Sequence, residues 1–227
     1  MHSHLLPGID DGCKTLHNSV ELVKQFADLG YKKMILTPHV MNDFYPNTPE
    51  IIMDKLDKLK DIIQSLGIKI ELEAAAEYYL DEFFMEKLEK EEKLLSFGAK
   101  KYVLFETSFL NASPYTDQAI FMMQSLGYTP ILAHPERSVY LFYAQRTLRQ
   151  FTDTGVLFQI DTNSLGGYYS GHSKKIAQWL VDEKMVDFLG SDCHHENHFN
   201  LTKNLQRKSS YYKKALQLDL LNNTLLN

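Results

Sequence analysis

Histidine and carboxylate residues recur at the ends of short apolar segments in this chain of 227 residues. His2 and His4 are separated by one residue, so in an extended segment both imidazoles point to the same side and could bind one ion together. The remaining candidate ligands are Asp10 and Asp11 in GIDDG, His39 after KMILTP, Glu77 after IELEAAA, Glu106 after YVLF, His134 after PILA, and Asp192 and His194 in SDCH.

The predicted order of strands and helices explains how residues so far apart in sequence could meet. Apolar runs typical of buried strands lie at 33–37, 69–72, 102–105, 130–133, 156–160 and 186–190. Amphipathic helical patterns lie at 16–29, 48–66, 81–88, 116–126, 138–154 and 173–183, and the tail after Leu201 is predicted to be helical. Alternation of this kind predicts parallel strands joined by right-handed crossovers in one domain.

In a closed βα barrel the carboxyl ends of the strands meet at one rim, where catalytic residues gather. Each candidate ligand taken alone is more often a solvated loop residue, but their joint placement at successive strand ends is improbable by chance. Imidazoles mixed with hard carboxylate oxygens favour Mn, Fe, Zn or Mg over metals that prefer soft ligands. The sequence therefore predicts a cluster of divalent metal ions at this rim.

Composition excludes several classes of protein. The net charge of −5 argues against a nucleic-acid binder with a broad basic surface, although bound metal ions could reverse the field locally. No segment approaches the roughly 18 apolar residues that a membrane span requires, and the first residues lack a signal-peptide pattern. We therefore expect a cytoplasmic protein that does not insert into membranes.

The two cysteines, Cys13 and Cys193, are predicted to be free thiols in a reducing cytosol, with a single buried disulfide as the alternative. Neither can serve a cysteine-based phosphatase, which needs an arginine six residues after a reactive thiolate. The residues at that spacing are Ser19 and Phe199. The sequence therefore excludes catalysis by a cysteine nucleophile of that class.

The strings HSHLLPGIDDG, TPH, LFE, AHPER and GSDCHH together resemble the PHP (polymerase and histidinol phosphatase) superfamily. Within it they are most similar to the bacterial manganese-dependent tyrosine-protein phosphatases of capsule and exopolysaccharide operons, and the resemblance extends from Met1 to about His194. It implies an α/β fold, a distorted (β/α)7 TIM-like barrel formed by a single PHP domain over 1–227. The strand expected to lead into His2 is not in the chain, so either residues precede Met1 or the barrel closes differently.

The resemblance also implies three divalent metal ions, with Mn preferred and Fe, Zn or Mg as alternatives. Asp11 is preferred over Asp10 because the acid of this family directly precedes the glycine. Arg137 in HPER matches a phosphate-binding arginine, and together with Asp11 and His194 it is predicted to be catalytic. The implied ligands are His2, His4, Glu77 and Asp192 for the first ion; Glu77, Glu106 and His134 for the second; and Asp11, His39 and His194 for the third.

The other histidines, His17, His172, His195 and His198, are predicted to be surface residues. The alternative for His195 and His198 is that they support the ligands from behind, because they lie close to SDCH.

The implied function is hydrolysis of phosphotyrosine by a metal-activated water. The implied partner is a bacterial tyrosine kinase whose tyrosine-rich tail controls polysaccharide export. A phosphatase for a small phosphomonoester such as histidinol phosphate is the nearest alternative. A PHP nuclease is disfavoured by the acidic balance, and a non-catalytic metal protein by the presence of Arg137. The sequence does not indicate an oligomeric state.

Overall fold

The computed structural model describes residues 1–226 and shows parallel strands surrounded by helices. Because both faces of each strand are covered, the strands appear in the sequence as continuous apolar runs. The strands are β1 Lys33–Leu36, β2 His39–Val40, β3 Glu71–Ala74, β4 Glu77–Tyr79, β5 Tyr102–Glu106, β6 Thr129–Ala133, β7 Leu157–Asp161 and β8 Phe188–Gly190.

The strands form two hydrogen-bonded sheets, β1-β3 and β2-β4-β5-β6-β7-β8, with every neighbouring pair parallel. Backbone hydrogen bonds continue between the sheets, since Ala75 N–H donates to Leu36 O at 2.9 Å and Glu77 N–H donates to Pro38 O at 3.0 Å. As a result, β1 with β2 and β3 with β4 each behave as one interrupted strand.

The segment that contains His2 and His4 closes the ring. Ser3 forms a parallel bridge with Cys193, and Thr37 N–H donates to Ser3 O at 2.9 Å. This segment therefore occupies the strand position between β8 and β1, and residues of the chain itself close the ring there. The predicted distorted (β/α)7 barrel is confirmed.

Helices cover the outside of the ring, and several begin where the sequence predicts an N-cap. The side chains of Thr15, Thr48 and Asp81 each accept a hydrogen bond from the backbone N–H three residues later. Within residues 1–226, no helix combines the length and apolarity that crossing a membrane requires. The helices are α1 Leu16–Asp28, α2 Pro49–Ser65, α3 Glu82–Glu89, α4 Thr116–Ser125, α5 Gln145–Asp153, α6 Gly171–Asp182, α7 Glu196–Lys208 and α8 Ser210–Ala215.

The predicted helix over 138–154 is wrong in its first third. Residues Val139–Leu141 form a single 3₁₀ turn, and α5 begins only at Gln145. The cause is a tertiary contact, because Val139 N–H donates to Phe109 O at 2.7 Å and ties this segment to the loop after β5. The predicted strand at 69–72 is also displaced, since β3 spans Glu71–Ala74.

The inside of the ring is filled below the rim by apolar side chains. Leu104, Ile131 and Phe188 are fully buried there in one cluster with Ile35 and Ala133. Because successive residues of a strand point to opposite faces, Glu106 lies on the same face as Leu104, one step nearer the carboxyl end. The strands thus fill the lower interior and carry polar side chains to the rim.

Candidate metal centre

The predicted ligands converge on the carboxyl rim. Three sets of side chains bring potential ligand atoms within 4.8 Å of one another. We call them the inner group (His2, His4, Glu77 and Asp192), the outer group (His4, Asp11, His39 and His194) and the lateral group (His39, Glu77 and Glu106).

The inner group is buried, and its ligand atoms face one another. Glu77 Oε2 lies 3.2 Å from His2 Nε2 and 3.3 Å from His4 Nε2. Asp192 Oδ1 lies 3.1 Å and 3.2 Å from the same two nitrogens. Neither carboxylate oxygen has a hydrogen-bond partner among the described residues. An unpaired buried carboxylate oxygen is costly, so this donor set fits a divalent cation.

The far sides of the two imidazoles are held by polar residues outside the group. His2 Nδ1 lies 2.6 Å from Gln159 Oε1, and His4 Nδ1 lies 2.8 Å from Asp10 Oδ2. Since these partners accept, each Nδ1 donates, and each Nε2 is left directed at Glu77 and Asp192. The orientation is the one that metal ligation requires.

The outer group is open to solvent on one side. Asp11 Oδ1 lies 3.5 Å from His39 Nε2 and 3.3 Å from His194 Nε2, and the His4 and His194 rings stack at 4.0 Å. The Asp11 side chain is 49% exposed. Asp10 instead points inward, where it accepts from His4 and from the backbone N–H of Gly12. Asp11 is therefore the member of the pair that faces His39 and His194.

The lateral group adjoins His134. His134 Nε2 lies 3.0 Å from Glu77 Oε1 and 3.9 Å from Glu106 Oε2. His39 Nδ1 lies 3.1 Å from Glu106 Oε1 and has no hydrogen-bond partner among residues 1–226. The structure thus brings Glu77, Glu106 and His134 together as the sequence predicts, and adds His39, which contacts both the lateral and the outer group.

The electrostatics of the inner group favour positive charge. Burial lowers the pKa of His2, but the carboxylates of Glu77 and Asp192 outweigh it and raise that pKa to about 10. Burial raises the pKa of Glu77 and of Asp192, yet His2 and the neighbouring cationic groups hold both pKa values well below the usual range. Carboxylates packed this closely stay ionised only with cations beside them.

Three residues of the centre adopt the left-handed backbone conformation, which side chains other than glycine rarely adopt. The φ angles are 65° for His2, 32° for His134 and 42° for Asp192. Each such residue costs about 1–3 kcal/mol and persists only where surrounding contacts enforce it. The backbone therefore departs from relaxed geometry where it presents these side chains.

Arg137 lies at the edge of the inner group, on the turn after β6. Its guanidinium donates to Asp192 Oδ2 at 2.5 Å, and its side chain is 17% exposed. Its Cζ atom lies over the rings of Phe109 and Tyr169. This arginine is placed where it could reach an anion bound over the rim.

Several residues of the site were not predicted from the sequence. Gln159 had a signal, since it interrupts the apolar run VLFQI and must point either to the ring interior or to a helix. For Asp10, the sequence indicates an alternative to Asp11 as a ligand but does not indicate its contact with His4. Phe109 and Tyr169 lie in irregular loops, where no periodicity indicates a partner.

His198 lies behind the centre, and its predicted surface position is wrong. It is buried, and its Nδ1 lies 3.2 Å from the backbone oxygen of Asp192. His195 is exposed, as predicted, and its ring lies 4.0 Å from the His198 ring. His198 therefore contacts the backbone of Asp192 from outside the three groups.

Both cysteines are free and buried, which confirms the prediction of two free thiols. Burial raises the pKa of Cys13 to about 11 and raises the pKa of Cys193 as well. Neither thiol can supply a thiolate nucleophile near neutral pH.

Comparison with known proteins shows similarity over nearly the whole chain. A family model described as "Capsular polysaccharide synthesis, CpsB/CapC" matches residues 1–226. The tyrosine-protein phosphatase YwqE of Bacillus subtilis strain 168 is 28% identical over 212 residues, which is 93% of this chain and 82% of YwqE. The tyrosine-protein phosphatase CpsB of Streptococcus pneumoniae is 24% identical over 223 residues, or 96% of this chain and 88% of CpsB.

Among solved structures, similarity extends to one from a crystallographic study of those two proteins, described there as unique metal-dependent tyrosine phosphatases. The TM-score is 0.85 at 27% sequence identity, and the match covers 99% of this chain and 92% of that chain. The barrel and the rim of the present chain are both included in this similarity.

Proposed function

This chain belongs to the CpsB/CapC capsular polysaccharide synthesis family, and from that membership we propose that it is a metal-dependent protein-tyrosine phosphatase. One observation carries the proposal. Glu77 Oε2 and Asp192 Oδ1 are buried carboxylate oxygens without hydrogen-bond partners, and both face two imidazole nitrogens directly beside Arg137. Such a site combines the ligands of a cation with a group that binds phosphate.

The proposed ligand sets follow the three groups at the rim. Three divalent ions would be held, with Mn preferred among the metals that such donors accept. Glu77 has close approaches to His2, His39 and His134, which suits a carboxylate shared between ions. The proposed sets are His2, His4, Glu77 and Asp192; Glu77, Glu106 and His134; and Asp11, His39 and His194.

When bound, ions at this rim supply Lewis acidity and lower the pKa of a water molecule near them. Arg137 is proposed to bind the phosphoryl oxygens, since a guanidinium engages phosphate through two parallel hydrogen bonds. Because it contacts Asp192, a phosphoryl group bound to it would lie beside the inner group.

Asp11 and His194 are proposed to be catalytic because they lie where solvent reaches the centre. His194 Nδ1 lies 2.9 Å from the backbone oxygen of Asp192 and donates to it, so Nε2 is directed towards Asp11. Asp11 Oδ1 is thus held where it can orient a proton of the attacking water. The leaving tyrosine, with an ordinary pKa near 10, departs more readily than an alkyl alcohol.

An aromatic side chain beside the ligands fits a substrate that carries a phenyl ring. The ring of Tyr45 stacks on that of His39 with 5.5 Å between the ring centres, and Tyr45 is partly exposed. This contact supports an aryl phosphate over a small polar phosphomonoester.

The physiological substrate is proposed to be a phosphotyrosine protein, namely a bacterial tyrosine kinase tail in capsular or exopolysaccharide synthesis, and the compartment is proposed to be the cytoplasm. The description of the family supports the pathway. The net charge of −5 is the reason that nucleic acid is not proposed.

The test compares three substrates after removal and readdition of Mn²⁺: a phosphotyrosine peptide, histidinol phosphate and single-stranded DNA. The expected result is Mn²⁺-dependent turnover with a clear preference for the phosphotyrosine peptide. A preference for either other substrate, or turnover unaffected by chelation, would contradict the proposal. The same peptide with phosphoserine is the matched control for the aromatic ring.

A further inference from the structure

Two aromatic side chains enclose the guanidinium of Arg137. The Cζ atom lies 4.6 Å from the ring centre of Phe109 and 4.1 Å from the ring centre of Tyr169. Arg137 follows β6, Phe109 follows β5 and Tyr169 follows β7. Three neighbouring rim loops therefore meet around one charged group.

The flat shape of the guanidinium determines where aromatic rings and a phosphoryl group can contact it. Its faces are flat and bind aromatic rings, whereas all of its donors lie at the edges. Contact with two rings and the hydrogen bond from Nη1 to Asp192 Oδ2 together restrict the orientation of the Arg137 guanidinium. Its other N–H donors are left for a phosphoryl group.

The two rings are anchored in different ways. The Tyr169 hydroxyl donates to Asp161 Oδ2 at 2.5 Å, and the fully buried Asp161 accepts the backbone N–H of Asn163 at 2.6 Å through Oδ1. Phe109 is 37% exposed, and its backbone oxygen accepts from Val139 N–H, which ties the Phe109 loop to the segment that follows Arg137. Tyr169 is therefore held through its side chain and Phe109 through its backbone.

We propose that Phe109 and Tyr169 are positioning residues for phosphate binding: they hold the Arg137 guanidinium in the plane that accepts a phosphoryl group, and Asp161 anchors Tyr169. This inference rests on the proposed phosphatase function. The two rings act through Arg137 and not through the metal ions, because neither residue is one of the proposed metal ligands.

The first experiment measures Tyr169→Leu and Phe109→Leu with para-nitrophenyl phosphate and Mn²⁺. Each variant is expected to raise KM, and the inhibition constant of inorganic phosphate, by about tenfold, which corresponds to about 1.4 kcal/mol of binding free energy. The Mn content per chain should stay at the wild-type value, and kcat should change less than KM. Tyr169→Phe keeps the ring and loses the hydrogen bond to Asp161, so its effect should be smaller than that of Tyr169→Leu.

Tyr143→Leu is the matched control, because Tyr143 lies on a neighbouring loop with its side chain exposed. It should leave both constants unchanged. A variant that folds poorly would lose bound Mn and kcat as well as phosphate affinity; Phe109→Leu and Tyr169→Phe then carry the test.

A double-mutant cycle separates positioning from direct contact. If Tyr169 acts through Arg137, then Tyr169→Leu should weaken phosphate binding in the wild type but add nothing in the Arg137→Ala background. Losses that multiply in the double variant would overturn the proposal, because Tyr169 would then act independently of Arg137.

The outcomes also separate this inference from the proposed function. Binding of inorganic phosphate to the Mn-loaded protein is measured by calorimetry, without turnover. If the wild type binds phosphate through Arg137 but hydrolyses no aryl phosphate, the proposed function fails while the positioning role remains measurable. If the wild type hydrolyses aryl phosphate and Tyr169→Leu leaves phosphate binding unchanged, the positioning role alone fails.

Discussion

The inner and outer groups use the same types of side chain in opposite environments. Glu77 and Asp192 are buried and keep oxygens without protein partners, whereas Asp11 is half exposed and contacts His39 and His194 from the solvent side. His4 belongs to both groups. The difference teaches that desolvation makes a cation necessary in the inner group, whereas the outer group presents a carboxylate to solvent.

The largest effect is expected from Glu77→Gln, which removes the charge that the inner and lateral groups share. Loss of a direct ligand should exceed the 10- to 100-fold effects of outer-shell changes, so we expect turnover to fall by more than about 100-fold. Bound metal should fall at the same time, as measured by elemental analysis. Glu86→Gln, at an exposed position of α3, is the control. Full metal content in Glu77→Gln would contradict the central place of Glu77.

A smaller loss, about 100-fold in kcat/KM, is expected from Arg137→Ala. The guanidinium stabilises the phosphoryl group and donates to Asp192, but it is not a ligand. Metal content should therefore stay intact while the inhibition constant of inorganic phosphate rises. Unchanged kinetics would remove Arg137 from the substrate side of the centre.

Asp10 and Asp11 offer a direct comparison of the two regions, because they are adjacent in sequence and point in opposite directions. Asp11→Asn should no longer bind the ion of the outer group. In the wild type, a chelator should remove that ion before the others. Asp10→Asn weakens the partner of His4 Nδ1, so we expect about a tenfold loss of metal affinity with the full number of ions retained at saturation.

Metal titration with elemental analysis of both variants checks this expectation. If the two variants lose the same ions at the same chelator concentration, the distinction between inner and outer groups does not hold.

The smallest effect on turnover near neutral pH is expected from Asp161→Asn. Asp161 is fully buried but is not one of the proposed metal ligands, so this variant tests the effect of burial alone. Burial raises the pKa of Asp161 to about 8. Between its ordinary pKa and that value, the folded protein binds a proton that the unfolded chain does not, so this group makes stability fall as pH rises from 5 to 8. The neutral asparagine should lack that fall.

Urea unfolding of both metal-free proteins at several pH values measures the difference. The variant should become relatively more stable than the wild type as pH increases. If the free energies of unfolding of the two proteins change with pH in the same way, Asp161 is not protonated in the folded protein.

Much of the site was predictable because its residues follow local signals. His39, Glu106 and His134 stand directly after apolar strands, and the parallel order of strands brings their ends together. The assignment of ligands to particular ions came only from resemblance to a known family. The structure describes the distances among these side chains, and the ligand assignment stays a prediction.

What the sequence did not indicate depends on contacts between distant loops. The helix predicted from Ser138 starts late because Val139 is bonded to Phe109. The closing of the ring by Ser3 depends on Cys193, at the other end of the chain. The strands β2 and β4 are too short for any periodicity, and each continues an earlier strand after a break.

The left-handed backbone at His2, His134 and Asp192 has an evolutionary consequence. Glycine would relax each of these positions and remove the functional side chain at once, so selection for folding and selection for chemistry oppose each other there. Local frustration of this kind is tolerated where it is compensated elsewhere, and the apolar interior beneath the rim supplies that compensation. Selection for stability alone would therefore replace these residues of the rim before it changed the interior of the barrel.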